Sequence, residues 1–491
     1  MGADGSTLAV ATAELPQHFP QPGWVEHDPE EIWQTVIDAV AEATTQAALP
    51  AGSIAAIGLT NQRETALVWE RRTGRPVHHA IVWQDRRTAE RCARLSAAGH
   101  GEQVRQVTGL VIDPYFSATK VAWLLDEVTG SRNRAEAGEL AFGTVDSFLV
   151  FQLAGGAAAG APHVMEVTNA SRTQLMALRT QRWDRGMAGV FGVPVAMLPR
   201  IVPSVGVVAH VRGLPGVADG TPIAGIAGDQ QAALFGQACF EPGSAKCTYG
   251  TGAFVLANTG PNPLTSQAGL VTTIAWQIGS EVTYALEGSC FVAGAAVQWL
   301  RDGLGIIENA AEVERLARQV PDSDGVVFVP ALAGLGAPHW DPAARGLIAG
   351  LTRRSTAAHL ARATLESIAH QVCDLIDAMN ADLPVPISSL RVDGGAAAND
   401  LLLTLQSEFA ALPVERPREL ETTARGAAML AGVGVGIFPR LQDAAGALDV
   451  DRVFTAGSDP TDRVEARVRW NAAIRRARSG ARAAGTPDAP H

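Results

Sequence analysis

The residues best placed to do chemistry lie in one stretch, 221–252. It reads TPIAGIAGDQQAALFGQ, then a short connection, then KCTYGTG. The apolar run 222–227 has the length and composition of a buried strand, and the residues from Ala232 onward have helical character. Asp229 falls between them. A carboxylate at the C-terminal end of a strand, beside a helix N-terminus, suits a general base. A second strand starts at Lys246 and breaks at Tyr249-Gly250-Thr251-Gly252. A turn with two glycines and a threonine can offer backbone N–H groups and a hydroxyl to phosphate oxygens. Both features also have plainer readings. An Asp after a strand is often only an N-cap, and GTG is often only a hairpin turn.

Composition bounds what such a site could serve. At 491 residues the chain has room for two or three domains. It is 47% hydrophobic and 18% charged, enough to bury a large core. The net charge of −11 argues against nucleic acid or an anionic membrane as the main partner. Five scattered cysteines, an odd count without a CxxC, fit a reduced cytoplasmic chain with no structural zinc. No apolar run free of Gly, Pro and charge could span a bilayer, so membrane insertion is not expected. The N-terminus lacks the basic region of a signal peptide.

The elements that must position the stretch alternate between strand and helix. Residues 7–15 read as a weak strand. Asp28-Pro29 opens a helix to about residue 49, with Glu31 completing a capping box. Residues 54–60 read as a buried parallel strand ending at Asn61-Gln62-Arg63-Glu64, followed by a hairpin over 65–84. Residues 140–153 have strand character. Helices are expected at 294–304 and 357–379, a strand at 388–393 closed by Gly394-Gly395, and a small-residue helix at 423–433. The boundary between halves falls near Cys239, and the Arg/Ala/Gly/Pro-rich tail 472–491 reads as disordered. Repeated strand–helix alternation with polar residues at strand ends predicts α/β domains with a site in the cleft between them.

At this point the motifs resemble those of the FGGY carbohydrate kinases. They are PGWVEHDPEEIW from Pro22, GLTNQRET from Gly58, IVWQDRRTA from Ile81, TGLVIDPYFSATK from Thr108, TNASRT from Thr168, GIAGDQQAALFGQ from Gly225, YGTGAF from Tyr249, GLGAPHWDPAARG from Gly334 and VDGGAAAND from Val392. The resemblance covers roughly residues 14–470. It implies two actin-like, ribonuclease H-like domains, 1–238 for the polyol and 239–471 for the nucleotide, with ATP and Mg²⁺ in the cleft. The implied reaction is ATP-dependent phosphorylation of glycerol to sn-glycerol 3-phosphate. Asp229 is the expected general base and lies near the metal, through water. Arg63, Glu64, Tyr115 and Gln230 resemble the family's polyol-binding residues, a mixed donor and acceptor set such as a triol needs. Trp83 and Phe254 resemble its apolar walls. Gly250 and Thr251 are expected at the ATP phosphates, Gly294 and Gln298 near the nucleotide, and Gly395 and Asn399 at the adenosine. A homodimer or homotetramer is compatible with the resemblance. The alternatives are another FGGY kinase acting on a pentulose or similar polyol, or a truncated homologue that binds glycerol or nucleotide without catalysis.

Two departures stand out. Family members begin with a strand and hairpin carrying a DxGTTS-like loop for phosphate and Mg²⁺, and residues 1–13 contain no such motif. The first strand of domain I is therefore expected to be absent, leaving a sheet edge exposed; a start upstream of Met1 is the preferred explanation, truncation the other. The segment GLPGVADGT carries Gly220 where relatives sensitive to fructose 1,6-bisphosphate have an Arg, so that inhibition is not expected.

Overall fold

The computed structural model describes residues 1–50, 52–446, 448–457 and 459–478. A ten-stranded mixed sheet runs through the molecule. In chain order its strands are β1 (Ile57–Asn61), β2 (Val205–His210), β3 (Pro222–Gly228), β4 (Ala245–Tyr249), β5 (Ala253–Gly260), β6 (Val271–Ile278), β7 (Glu281–Cys290), β8 (Leu390–Asp393), β9 (Val414–Pro417) and β10 (Val450–Phe454). Across the sheet the order is β1-β3-β2-β6-β7-β5-β4-β8-β9-β10. The first three belong to the first half of the chain and the rest to the second. One register pair, Val205 with Ile278, joins the halves. β1 and β3 are parallel, as are β4, β8 and β9, whereas β4-β5-β7-β6 is an antiparallel ribbon. Both chemically suggestive stretches sit at the C-terminal ends of parallel strands, Asp229 after β3 and Tyr249–Gly252 after β4.

The helices follow local rules. α1 (Pro29–Ala47) starts at Asp28, whose carboxylate accepts from Glu30 N at 2.8 Å, with Pro29 in the first turn. Glu31 does not complete the expected capping box. Its carboxylate faces His18 Nε2 at 2.9 Å instead. α2 (Asp229–Gly236) follows β3 directly, α3 (Gly294–Asp302) follows β7, and α4 (Ala357–Asp382) lies across the second half of the sheet. Leu365, Ile368 and Val372 of α4 pack with Cys247, Val255, Leu286 and Val392 of the sheet. α5 (Asp400–Ala410) follows β8. α6 (Thr422–Gly434) comes from the second half but packs on β1 and β3. Small residues make this possible: a Cβ at Gly58 would meet Ala427 O at 2.1 Å, and one at Gly225 would meet Ala431 N at 2.2 Å. The same closeness joins α6 to α2, where a Cβ at Gly426 would meet Ala232 O at 1.8 Å.

Three segments differ from the sequence reading. Residues 140–153 are a strand only over Leu140–Gly143; Val145–Leu153 is a helix. That helix is buried on nearly every side, so its apolar run carries no helical period to read. Residues 7–15 pair with nothing in a sheet. β1 is accordingly an outer edge, and beside it an apolar cavity of about 400 Å³ is walled by Ile54, Ala56 and Gly58, by Thr44 and Ala47 of α1, and by Leu8 and Phe438. Finally, α7 (Pro460–Ala477) continues into the tail read as disordered, because Trp470, Ala473, Ile474 and Ala477 form a buried stripe and Trp470 Nε1 donates to Asp374 Oδ2 at 2.8 Å. Residues 479–491 lie outside the described residues.

All five cysteines are free and buried. Burial pushes the Cys92 thiol up to about 11 and the Cys239 and Cys373 thiols up to about 12. It raises Cys247 and Cys290 further.

Candidate active site

β1 ends at Asn61, and the chain then turns through Gln62, Arg63 and Glu64. Glu64 takes φ +61°, a left-handed conformation uncommon for a residue with a side chain. The Ser117 hydroxyl donates to the Glu64 carbonyl at 2.9 Å and fixes this turn. The result sends the Arg63 and Glu64 side chains into the interior. Arg63 runs past Gly228, where a Cβ would meet its Cγ at 2.6 Å. Its two terminal nitrogens grip Glu287 of β7, Nη1 to Oε2 at 2.5 Å and Nη2 to Oε1 at 3.0 Å. Nη1 also donates to Gln231 Oε1 at 3.2 Å, and Nη2 to the Tyr115 hydroxyl at 3.4 Å. Its Nε faces Asp229 Oδ1 at 3.2 Å. Arg172 completes the network, donating from Nε to Glu64 Oε1 at 2.6 Å and from Nη2 to Glu287 Oε1 at 2.8 Å.

Two arginines and two glutamates thus form a buried, formally neutral quartet. Asp229 is the odd charge, and it is the one with access to solvent: its side chain is 34% exposed, against 2% for Arg63 and 1% for Glu287. Burial works to raise the Glu287 carboxyl, but the guanidiniums of Arg172 and Arg63 outweigh it and hold the group at about 2. For Glu64, burial wins and the carboxyl is pushed up despite Arg63 and Arg172. Burial likewise raises the Tyr115 phenol, which serves as a neutral hydroxyl. Tyr115 meets the Trp83 ring edge-on at 5.6 Å, and Trp83 meets Phe254 edge-on at 6.2 Å. The expected polar residues and aromatic walls therefore form one connected group.

Asp229 opens α2, and its Oδ1 accepts from Gln230 N at 2.7 Å. Gln230 points to Lys246 of β4, whose Nζ donates to Gln230 Oε1 and, at 2.7 Å, to Thr248 Oγ1. Burial lowers the Lys246 ammonium, while Asp393 and Asp229 partly restore it. Behind Asp229, Gly228 N donates to Thr168 Oγ1 at 2.9 Å. That hydroxyl donates to Glu166 Oε2 at 2.5 Å, and Glu166 Oε1 accepts from Ser204 Oγ at 2.6 Å. Burial pushes Glu166 up to about 7 and its neighbour Asp146 up to about 6.

The second group of expected residues lines a separate cavity of about 390 Å³. Gly250, Thr251, Gly294, Gln298, Gly395 and Asn399 all border it, with Val297, Leu365, Ile368 and Leu402 as apolar wall. The turn after β4 is stitched to the start of α3: Gly294 N donates to Gly250 O at 2.9 Å, and Ala293 N to Thr251 O at 2.9 Å. The glycines differ in what they face. A Cβ at Gly294 would meet Gly250 O at 2.6 Å, and at Gly394, φ +83°, it would meet Tyr249 O at 2.6 Å. A Cβ at Gly395 would meet nothing within 4 Å. Packing explains the first two; it does not explain Gly395, which opens on the cavity. Asn399 caps α5, accepting from Leu402 N at 2.9 Å.

Among the described residues no three His, Cys, Asp or Glu side chains are grouped to hold a metal ion. Such a site could take Mg²⁺, which keeps several waters and binds through one or two carboxylates plus phosphate oxygens. Asp229, with its side chain 34% exposed, could supply one of them.

Sequence reasoning missed Glu287, Arg172, Gln231, Lys246 and Glu166 as members of the site. Glu287 stands in YALEGSC, a run of strand residues, and a charge at a mid-strand position was the available signal. From sequence Lys246 reads only as the start of a strand, although a lysine followed by Cys-Thr-Tyr carries the same signal.

The family model described as the FGGY family of carbohydrate kinases, N-terminal domain, matches residues 1–236, and that for the C-terminal domain matches residues 245–435. A glycerol kinase of Alkalilimnicola ehrlichii is 53% identical over 98% of this chain and 95% of that protein. The crystal structure of Plasmodium falciparum glycerol kinase with ADP matches with a TM-score of 0.87 and 34% identity, over 95% of this chain and 92% of that one. A ligand-bound xylulose kinase from Lactobacillus acidophilus matches with a TM-score of 0.86 over 98% and 95% of the two chains, but at 21% identity it shares the fold alone.

Proposed function

The chain belongs to the FGGY family of carbohydrate kinases, and on that premise we propose that it is an ATP:glycerol 3-phosphotransferase. The reaction transfers the γ-phosphoryl group of ATP to a terminal hydroxyl of glycerol, giving sn-glycerol 3-phosphate and ADP. Residues 1–238 hold most of the polyol site, which Phe254 completes, and 239–471 hold the nucleotide. The observation that carries this reading is the placement of Asp229. It is the half-buried, solvent-accessible carboxylate at the end of a buried charge network, and Gln230 and Lys246 tie its neighbourhood to the strand that leads into the glycine turn.

The chemistry follows from the parts. A triol needs donors and acceptors on several sides. Arg63 and the Tyr115 hydroxyl supply donors, Glu64 and Asp229 supply acceptors, and Gln230 supplies both. Trp83 and Phe254 cover the carbon chain and limit its length. Fixing the hydroxyl in line with the γ-phosphorus supplies much of the rate, because positioning dominates phosphoryl transfer. Asp229 accepts the hydroxyl proton as the new O–P bond forms. On the other side, the Gly250–Thr251 turn offers N–H and O–H groups to the phosphates, and Gly395 and Asn399 bound the adenosine. Mg²⁺, held by phosphate oxygens and by Asp229 through water, would neutralise charge on the phosphoryl group.

The test is formation of glycerol 3-phosphate with ATP and Mg²⁺, alongside xylulose and ribulose. Glycerol is expected to give the highest kcat/KM. Faster turnover of a pentulose would replace the substrate, and calorimetric glycerol binding without any product would replace the activity.

A further inference from the structure

The polar groups of the proposed polyol pocket come from the first half of the chain, yet a carboxylate of the second half holds them in place. Glu287 comes from β7, in the antiparallel ribbon of the second half, and reaches Arg63 across 224 residues of sequence. It engages both terminal nitrogens of the guanidinium, a two-pronged contact that sets the plane of the group as well as its place. It also takes Nη2 of Arg172, whose Nε holds Glu64. Arg63 and Glu64, both proposed to touch the polyol, are therefore oriented by one carboxylate that is itself 1% exposed.

The contact also decides what Arg63 does to the base. With both terminal nitrogens on Glu287, Nε is the nitrogen nearest to Asp229. Without that grip the guanidinium can turn and present two nitrogens to Asp229, blocking the oxygen that must meet the substrate. A carboxylate of this kind acts through another residue and touches no reacting atom.

We infer that Glu287, seconded by Arg172, is the positioning residue of the polyol pocket. It holds Arg63 and Glu64 in their binding pose and keeps Arg63 from closing on Asp229. The inference rests on the reading of this pocket as the polyol site, and turnover of glycerol by the unaltered protein tests that reading separately.

The experiment is Glu287→Gln, with KM for glycerol and for ATP measured apart and the folded state followed by thermal melting. Misplacing a pocket group by about 1 Å costs about 100-fold, so kcat/KM for glycerol is expected to fall by about 100-fold. KM for glycerol carries at least about tenfold of that loss. KM for ATP is expected to stay within about twofold, because the nucleotide cavity has no contact with this quartet. Glu287→Asp keeps the charge with a shorter reach and should lose less; it is the variant to measure if Glu287→Gln does not fold. An unchanged KM for glycerol in the folded variant, or equal rises in both KM values, would overturn the inference and leave Glu287 a structural ion pair.

Discussion

The two regions proposed to hold ligand are built from different materials. The polyol side is made of side-chain charge: Arg63, Glu64, Arg172 and Glu287 buried together, with Asp229 at the edge. The proposed nucleotide side is an open cavity lined mainly by glycines and apolar residues, with Gln298, Glu314 and Asn399 among them. Charge buried in an interior is expensive and holds its geometry only while every partner is present. Backbone lining costs little to keep and approaches a large ligand closely wherever a glycine leaves room. The pairing suits the reaction. A small, flexible triol must be fixed by directed contacts, while the nucleotide brings its own charge and mainly needs space and N–H groups.

Substitutions can separate these two designs. The largest effect is expected from Asp229→Asn, which keeps the shape and removes the proposed base. Its kcat should drop by about 10³-fold or more, with glycerol binding by calorimetry largely retained. Near-normal turnover would assign the base elsewhere. Lys246→Met comes next, since its Nζ ties Gln230 to Thr248, on the strand that runs into the Gly250–Thr251 turn. A loss of about 10–100-fold in kcat, with both KM values raised, is the result expected if the bridge aligns them. An effect on one KM alone would place the lysine with one region only.

Gly395→Val probes the backbone-built side. It should raise KM for ATP about tenfold and leave the melting temperature within about 2 °C, because no atom lies within 4 Å of the added Cβ. Gly394→Val should behave oppositely and destabilise the fold, since its Cβ would meet Tyr249 O at 2.6 Å. Equal destabilisation by both would remove the distinction between packed and ligand-facing glycines.

The smallest effect is one of pH. Glu166 titrates at about 7 when folded because burial raises it, against 4.5 for an ordinary Glu. The folded state then holds a proton that the unfolded state has released. Stability from this group is full below about pH 4.5 and is lost as pH rises through 7. Glu166→Gln should flatten the decline of melting temperature over that window. Gln can keep the contacts, its oxygen accepting from Thr168 while its amide donates to Ser204. An unchanged slope would shift the titration to Asp146.

Much of this was legible in the sequence, for particular reasons. Asp229 could be read because a carboxylate ending an apolar run before a helix is a local pattern, and the glycine turn after β4 is another. Glu287 and Lys246 could not be given roles, because their meaning lies in contacts made 224 and 16 residues away. The helix at Val145–Leu153 was hidden by being buried all round, which erases the period that marks a helix. The small residues of α6 announced a close approach without saying to what; only the fold supplies Gly58 and Gly225 as the surfaces they meet.

The buried cysteines give this molecule an internal gauge of its own opening. With all five thiols shut away and held protonated, a thiol-specific reagent finds little to react with while the chain is folded. The thiols lie in separate packing regions, Cys247 and Cys290 in the core of the second half and Cys239 in the cluster around α2 and α6. Labelling rates resolved by site therefore become a clock for each region. If ATP slows modification of Cys247 and Cys290 while glycerol leaves them unchanged, the nucleotide tightens the half it binds. If either ligand slows all five alike, the two halves breathe as one body.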